Sequence, residues 1–210
     1  MKRCFIFAAG SFYGLRECPQ EGDRVIAADA GYLHCQALGI RPDLLVGDFD
    51  SMELPQGVKN VLQAPVEKDD TDTILAVKEG LKAGCDEFFI YGGTGGKRMD
   101  HSVANLQTLL YLRRRGARGF LYDQDFVWTV IENESIEIPR TVDWGLLSVF
   151  AMGEEARGVT ETGVQYPLTK GTIKAAYPYA VSNHLTDDCA RVLVKDGALL
   201  VGWELPIVVP

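Results

Sequence analysis

The sequence has 210 residues, of which 47% are hydrophobic, and its formal net charge is −8 at pH 7. This composition is sufficient for a sizeable buried core and argues against a disordered chain. The negative charge argues against broad binding to nucleic acid or to an anionic membrane surface, because both attract basic proteins.

The first part of the chain, residues 1–125, alternates apolar runs with helical patterns. Such an alternation predicts βαβ units and an α/β domain with a mainly parallel sheet. Strands are predicted over residues 3–9, 24–28, 44–47, 87–91 and 119–122, and helices over residues 73–83 and 101–115.

The pattern changes after residue 125, where short apolar segments are separated by turn residues and no helical period is present. Strands are predicted over residues 126–132, 135–138, 146–152, 171–176 and 190–194. We therefore expect residues 126–210 to form a second, all-β domain of the sandwich type.

The five cysteines are scattered and odd in number, and no two of them form a C-x-x-C pair. This argues against a disulfide framework or a zinc site and favours reduced thiols, so we expect a cytoplasmic protein. No apolar run approaches the ~20 residues that a membrane-spanning helix requires.

Two carboxylates, Asp48 and Asp50, directly follow the predicted strand at residues 44–47. Residues two apart in extended backbone face the same way, and the carboxyl ends of parallel strands are where α/β sheets bind ligands. Two close carboxylates repel each other unless a cation lies between them, and Mg²⁺ prefers oxygen ligands. The alternative is a polar turn in which Asp50 caps the following segment.

A second acidic segment runs from Lys68 through Asp69, Asp70 and Thr71 to Asp72, just before a predicted helix. Asp and Thr are ordinary helix N-caps, which is the alternative interpretation. A cap needs only one such residue, however, so we expect the remaining carboxylates to contribute to the same Mg²⁺ site.

A glycine-rich segment, residues 91–101, lies between a predicted strand and a predicted helix. Its glycines allow successive backbone N–H groups to surround an anion, and its Lys and Arg add positive charge. It is neither a Walker loop nor a dinucleotide-binding loop. A strand-to-helix turn without a ligand is the alternative. The residues concerned are Gly93, Thr94, Gly95, Gly96, Lys97, Arg98, Asp100 and His101.

Ser182 and Asn183 form a further polar pair in the β half, where a plain turn is the simpler interpretation of the pattern alone. His34 and His184 stand alone, and we interpret both as structural or surface residues.

Taken together and in this order, these segments resemble the thiamine pyrophosphokinase family. The matching pieces are residues 29–31, 47–51, 68–72, 93–101, 163–168 and 182–183, so that the resemblance covers nearly the whole chain. It implies an α/β catalytic domain, a β-sandwich domain, and a homodimer in which thiamine binds between subunits. It also implies that the hydroxyl of thiamine attacks the β-phosphorus of ATP and that AMP leaves.

The resemblance implies the following residue roles. Mg²⁺ would be held by Asp48, Asp50 and Asp72. ATP would be bound by Asp29, Lys68, Gly93, Thr94, Gly95, Gly96, Lys97, Arg98 and His101, with Asp100 organising Arg98 or the nucleotide. Either Asp70 or Asp72 would accept the hydroxyl proton. Ser182 and Asn183 would hold the aminopyrimidine ring of thiamine.

One departure from the family concerns the residues after Ser182 and Asn183, where many members have an aromatic residue and this chain has His184 and Leu185. Two competing functions are a pyrophosphokinase for another hydroxymethyl heterocycle, such as a pterin, and a non-catalytic nucleotide or thiamine sensor. The candidate aromatic residues for a dimer interface are Tyr166, Tyr177, Tyr179 and Trp203.

Overall fold

The computed structural model describes residues 1–48, 60–63 and 69–206. In the first half the strands are β1 (Arg3–Phe7), β2 (Arg24–Ala28), β3 (Leu44–Gly47), β4 (Val61–Gln63), β5 (Glu87–Tyr91) and β6 (Arg118–Tyr122). The helices are α1 (Gly31–Ala37), α2 (Asp72–Lys82) and α3 (Met99–Arg113). The strands and helices predicted in this half are confirmed, and each of their ends agrees to within two residues.

The strands of this half form one parallel sheet in the order β4-β3-β2-β1-β5-β6. Helices α2 and α3 pack on one face of it, over buried side chains that include Cys4, Ile6 and Ile26. The other face carries an aromatic cluster in which Phe5 stacks on Phe89. Both faces of the strands are therefore buried, which explains why their sequences are continuously apolar.

The second half consists of β7 (Phe126–Glu132), β8 (Ser135–Pro139), β9 (Leu146–Ala151), β10 (Glu155–Thr162), β11 (Leu168–Lys174), β12 (Asn183–His184), β13 (Cys189–Leu193) and β14 (Ala198–Glu204). No helix occurs among its described residues. Strand β7 pairs antiparallel with β6, and the main sheet continues as β7-β14-β9-β12. A second, 4-stranded antiparallel sheet has the order β11-β10-β13-β8.

An apolar core lies between these two antiparallel sheets and includes Ile138, Leu147, Val159 and Val201. The predicted fold class, a mainly parallel α/β part followed by a sandwich-like β part, is thus confirmed. Because β6 and β7 share hydrogen bonds, a single 10-stranded sheet runs through both halves. The division between residues 125 and 126 stays a prediction.

Strand β14 shows why some elements were not predicted. Ala198 and Leu200 face the helix-covered core, whereas Leu199 and Val201 face the core of the sandwich. A central strand that is buried on both sides has no polar alternation to reveal it. The other elements not predicted were α1, β4, β10 and β12, and the strand predicted at residues 171–176 lies at Leu168–Lys174.

Within the described residues, no helix has both the length and the apolar character needed to cross a membrane.

Candidate active site

The candidate active site is a cavity of about 230 Å³ at the carboxyl ends of β1, β2 and β5, where α2 and α3 begin. Its walls are formed by Ala8, Ala9, Gly10, Ala28, Asp29, Asp72, Thr73, Gly92, Gly93, Gly95, Gly96, Lys97, Arg98, His101, Ser102 and Asn105. Open α/β sheets bind ligands at this edge. The structure thus brings together Asp29, Asp72 and most of the glycine-rich segment.

The glycine-rich segment is fixed by backbone hydrogen bonds to the loop after β1. The Gly10 N–H donates to the Gly92 carbonyl at 2.7 Å, and the Ser11 N–H donates to the Thr94 carbonyl at 2.9 Å. From α3, the buried Asn105 side-chain amide donates to the Gly93 carbonyl at 2.7 Å. The turn is therefore preorganised by groups on two other elements.

Gly95 and Gly96 both have φ of +71°, in the left-handed region that favours glycine. A Cβ atom on Gly95 would lie 2.5 Å from the Tyr13 hydroxyl oxygen and 2.7 Å from Ser11 Oγ, whereas a Cβ on Gly96 would meet nothing within 4 Å. Gly95 is thus restricted by both conformation and space, and Gly96 by conformation alone.

The charged residues of this segment differ in their contacts. Arg98 donates to both oxygens of Asp100, with Nη2 to Oδ2 at 2.7 Å, and this guanidinium lowers the pKa of Asp100 to about 2. Lys97 and His101 are exposed beside the cavity. Thr94 is buried, and its hydroxyl donates to Asp123 instead. Asp100 is therefore the side-chain partner of Arg98.

The second acidic segment lies at the start of α2. The N-cap is Thr71, whose hydroxyl accepts the Ile74 N–H at 3.3 Å. Asp70 instead forms an ion pair with Lys78 at 2.5 Å, and Asp72, the first helical residue, lines the cavity. The cap is thus a threonine and not a carboxylate, and Asp72 lies in the first turn of α2, where its charge also favours the helix dipole.

Of the three predicted metal ligands, the structure describes Asp48 and Asp72. Asp48 follows β3, at the same edge of the sheet at which Asp29 follows β2. Asp50 and Lys68 lie outside the described residues. Within the described ranges, no group of three or more His, Cys, Asp or Glu side chains is placed to hold a metal ion.

The predicted thiamine residues lie in the sandwich. Asn183 is 7% exposed, and its side-chain amide holds the Tyr166 peptide at both ends, since Oδ1 accepts the Tyr166 N–H at 3.0 Å and Nδ2 donates to the Tyr166 carbonyl at 2.9 Å. Oδ1 also accepts the His184 N–H at 3.1 Å. Ser182 is exposed, with φ of +59°, and its N–H donates to Ser148 Oγ.

The two predicted sites do not meet within one chain as far as the described residues show. The cavity at the sheet edge is lined by residues of the first half, whereas Asn183 lines a separate cavity of the sandwich. Tyr166, Tyr177 and Tyr179 are exposed, as interface candidates must be. Trp203 was a wrong candidate, because it is 9% exposed and packs in the core of the sandwich.

Sequence reasoning missed three contributors to these cavities. The run from Ala8 to Gly10 provides small residues directly after β1, a signal that was present in the sequence. Asn105 is a buried polar residue of α3, and the weak amphipathic pattern of that helix gave no signal for it. Glu161 lines the cavity of the sandwich, and it was missed because β10 was not predicted.

Comparisons with known proteins agree with this architecture. The family model described as "Thiamin pyrophosphokinase, catalytic domain" matches residues 15–121, and that described as "Thiamin pyrophosphokinase, vitamin B1 binding domain" matches residues 133–199. A thiamine pyrophosphokinase of Bacillus subtilis strain 168 is 29% identical over 182 residues, which are 84% of this chain and 85% of that protein.

Solved structures show the same similarity over almost the whole chain. The crystal structure of thiamine pyrophosphokinase from Bacillus subtilis matches with a TM-score of 0.86 and 26% identity, covering 98% of this chain and 100% of that one. A thiamin pyrophosphokinase family protein from Enterococcus faecalis matches with a TM-score of 0.82 and 28% identity, with the same coverage. With a catalytic and a vitamin-binding model matched in order on this fold, the chain belongs to the thiamine pyrophosphokinase family.

Proposed function

We propose that this chain transfers the pyrophosphoryl group of ATP to the hydroxyl of thiamine, giving thiamine diphosphate and AMP. The observation that carries the proposal is the cavity at the sheet edge, in which a preorganised glycine turn and a cationic Arg98 face the carboxylate-bearing start of α2. Polyphosphates bind to such turns, and carboxylates that line the same cavity require a cation between them and the phosphates.

In this proposal the glycine turn binds the triphosphate through its backbone N–H groups. Arg98 presents a planar guanidinium that can fork onto phosphate oxygens, and its pairing with Asp100 fixes its orientation. Transfer of this kind depends on alignment and charge neutralisation more than on covalent catalysis. Asp70 and Asp72, at the start of α2, are the two candidates for accepting the hydroxyl proton.

The donor set fits Mg²⁺, because Asp48 and Asp72 are hard oxygen donors at the edge where the triphosphate would bind. We assign these two residues and Asp50 to the metal, together with oxygens of ATP. When bound, Mg²⁺ would neutralise charge on the phosphates and hold them in line for attack. Asp29 and Lys68 complete the proposed ATP site.

We assign the acceptor site to the sandwich, around Ser182 and Asn183, and the nucleotide site to residues 1–125. Because the two cavities are separate in one chain, we propose a homodimer in which residues 126–210 of one subunit complete the site of the other. A cytoplasmic location is also proposed, and it is supported by five cysteines that are all unpaired.

The direct test is incubation with Mg-ATP and either thiamine or a hydroxymethyl-pterin, followed by chromatography of the products. We expect AMP and thiamine diphosphate in equal amounts, only with thiamine and only when Mg²⁺ is supplied. Diphosphorylation of the pterin alone would assign a different acceptor. Binding of ATP and thiamine without any AMP would identify a sensor and contradict the proposal.

A further inference from the structure

The sandwich contains a second cavity, of about 260 Å³, between the turn that joins β10 to β11 and the segment before β12. Its walls include Glu161, Tyr166, Leu168, Tyr179 and Asn183. Aromatic and aliphatic walls with few polar groups are typical of sites for flat organic molecules. The polar groups should therefore determine which molecule fits.

Glu161 is the buried acidic group of this cavity, with 2% of its surface exposed. It occupies an inward-facing position of β10, directly between Leu168 on β11 and Val192 on β13. Its Oε2 accepts a long hydrogen bond of 3.4 Å from Asn183 Nδ2. Its Oε1 is buried and has no hydrogen-bond partner among the described residues.

A buried carboxyl oxygen without a partner is costly, because it has lost its hydration and gained nothing in exchange. Burial raises the pKa of Glu161 to about 7, and the Asn183 hydrogen bond opposes this rise only partly. Near neutral pH the group is therefore present in its protonated form to a large extent. A protonated carboxyl offers one donor and one acceptor side by side.

Asn183 is a poor candidate for recognising the substrate, although the family resemblance implies that role. Its Oδ1 already accepts two backbone N–H groups, from Tyr166 and His184, and its Nδ2 donates to the Tyr166 carbonyl and to Glu161. These bonds use both lone pairs and both hydrogens of the amide. Asn183 therefore positions the turn at Tyr166, and another group must recognise the ligand.

We propose that Glu161 recognises the aminopyrimidine ring of thiamine in this cavity, accepting a hydrogen bond from the exocyclic amine and donating one to the adjacent ring nitrogen. The 4-aminopyrimidine edge presents this donor and acceptor side by side, complementary to a protonated carboxyl. Glu161 thereby becomes a specificity-determining residue for the acceptor. The inference rests on the proposed function, since it takes thiamine as the acceptor.

The test measures equilibrium dissociation constants by calorimetry for thiamine and for an analogue that lacks the 4-amino group. In the wild type we expect the analogue to bind at least tenfold more weakly, because a site built for a hydrogen bond rejects a ligand that lacks it. Glu161→Leu should weaken thiamine binding about tenfold or more and bring the two dissociation constants to within about twofold of each other. Glu161→Gln keeps a donor and an acceptor, so it should preserve the discrimination.

Thr129→Val is the matched control, since it removes a buried hydrogen bond to the Gly119 carbonyl outside both cavities. It should lower thermal stability and leave both dissociation constants unchanged. If Glu161→Leu weakens both ligands equally, Glu161 is a structural residue and the inference is wrong. If the wild type binds thiamine and the analogue equally well, the inference is also wrong, and this result does not depend on whether Glu161→Leu folds.

Failure of the proposed function would be recognised separately. If the wild type binds thiamine with the expected discrimination but forms no AMP, the role of Glu161 is supported and the catalytic proposal is wrong. Conversely, formation of thiamine diphosphate without a contribution of Glu161 to discrimination would retain the reaction and overturn this inference.

Discussion

Individual residues of the candidate active site are restricted by local geometry, and Gly95 is the clearest case. Its backbone has positive φ, and its Cα faces Tyr13 and Ser11 so closely that no side chain can be added without moving them. The sequence predicted that a glycine was needed for the approach of phosphate. The structure adds that Gly95 is also in contact with the loop after β1.

We expect Gly95→Ala to reduce turnover with ATP by about tenfold or more, because the turn must shift away from its packed position. The matched control is Gly39→Ala, at φ of +66° with open space around the added Cβ and not among the residues that line the cavity. It should cost about 1 kcal/mol of stability and leave turnover unchanged. Steady-state kinetics and thermal unfolding of both variants measure the two effects, and equal turnover would contradict the packing argument.

Asp48 and Asp72 are expected to act through charge. Asp48→Asn and Asp72→Asn should each lower turnover by about 10² to 10³, as is usual when stabilisation of transition-state charge is lost. Asp196→Asn, at an exposed ion pair of 3.9 Å with Arg157, removes the same charge elsewhere and should have no effect. In activity titrations, the Asp48→Asn and Asp72→Asn variants should need a higher Mg²⁺ concentration for half-maximal activity than the wild type. Near-normal turnover in both would contradict the metal assignment.

Glu161 should make stability depend on pH in a direction opposite to that of an ordinary carboxylate. Its pKa is about 7 in the folded chain against 4.5 for the free group, so the folded state binds the proton more tightly. The resulting stabilisation is complete below about pH 4.5 and is lost as the pH rises through about 7. With 1.36 kcal/mol per pKa unit, the loss is about 3 kcal/mol.

Chemical denaturation of the wild type and of Glu161→Gln gives the free energy of unfolding of each between about pH 5 and about pH 8. The loss is the difference between the slopes of their unfolding free energies plotted against pH. The wild type should lose about 2 to 3 kcal/mol relative to the variant over this range, since Gln does not titrate. Glu137→Gln, at an exposed position of the same sheet, should leave the slope of the wild type unchanged. Parallel curves for the wild type and Glu161→Gln would show that Glu161 does not titrate in this range.

At the scale of elements, the limits of strands and helices were predicted best where a local sequence pattern marked both ends. Strands β2, β3 and β5 are buried on both faces and bounded by turn residues, so their limits were predicted correctly. Helix α1 has 7 residues, begins at Gly31 and has no side-chain N-cap, so no local signal marked it. Strand β10 contains register shifts around Gly158, whose positive φ breaks the alternation that would identify a strand.

In the candidate site too, the residues that were predicted carried a local sequence signal. The residues between β5 and α3 were predicted because a glycine-rich turn has a composition that ordinary loops lack. The hydrogen bonds of the Asn183 amide were not predicted, because a sequence does not show which partners a buried amide contacts. Glu161 was missed because its burial depends on Leu168 and Val192, which are its neighbours on two other strands.

Helix α2 offers a test of how an element positions the site. Thr71→Ala removes the N-cap and should cost about 1 kcal/mol of stability, while Thr71→Ser should cost less because it retains the hydroxyl acceptor. Since Asp72 is the first residue of this helix, fraying should also raise the Mg²⁺ concentration needed for half-maximal activity. Thermal unfolding and Mg²⁺ titrations test both effects. Identical Mg²⁺ titrations for Thr71→Ala and Thr71→Ser would show that the cap does not influence metal binding and would contradict the second effect.

At the scale of the molecule, the continuous 10-stranded sheet joins the two halves side by side, with the cavity at the sheet edge and the sandwich cavity in separate places. A phosphoryl transfer requires the acceptor hydroxyl to approach the phosphate directly. One chain would have to change its arrangement to achieve this, whereas a closed two-fold dimer could bring one subunit's sandwich to its partner's cavity. The exposed Tyr166, Tyr177 and Tyr179 lie on the half that would make this contact.

Mixed dimers distinguish the two arrangements. One inactive variant carries Asp48→Asn, and the other carries Ser182→Ala together with Asn183→Ala, so that the lesions lie in different halves. If sites are shared between subunits, each heterodimer has one site with all the lesions and one intact site, and about half of the wild-type activity per heterodimer should return. Native mass spectrometry confirms that subunits have exchanged, and each variant mixed with itself is the control. Exchange without any recovery of activity would show that each site is built within a single chain, because both heterodimer sites would then carry a lesion.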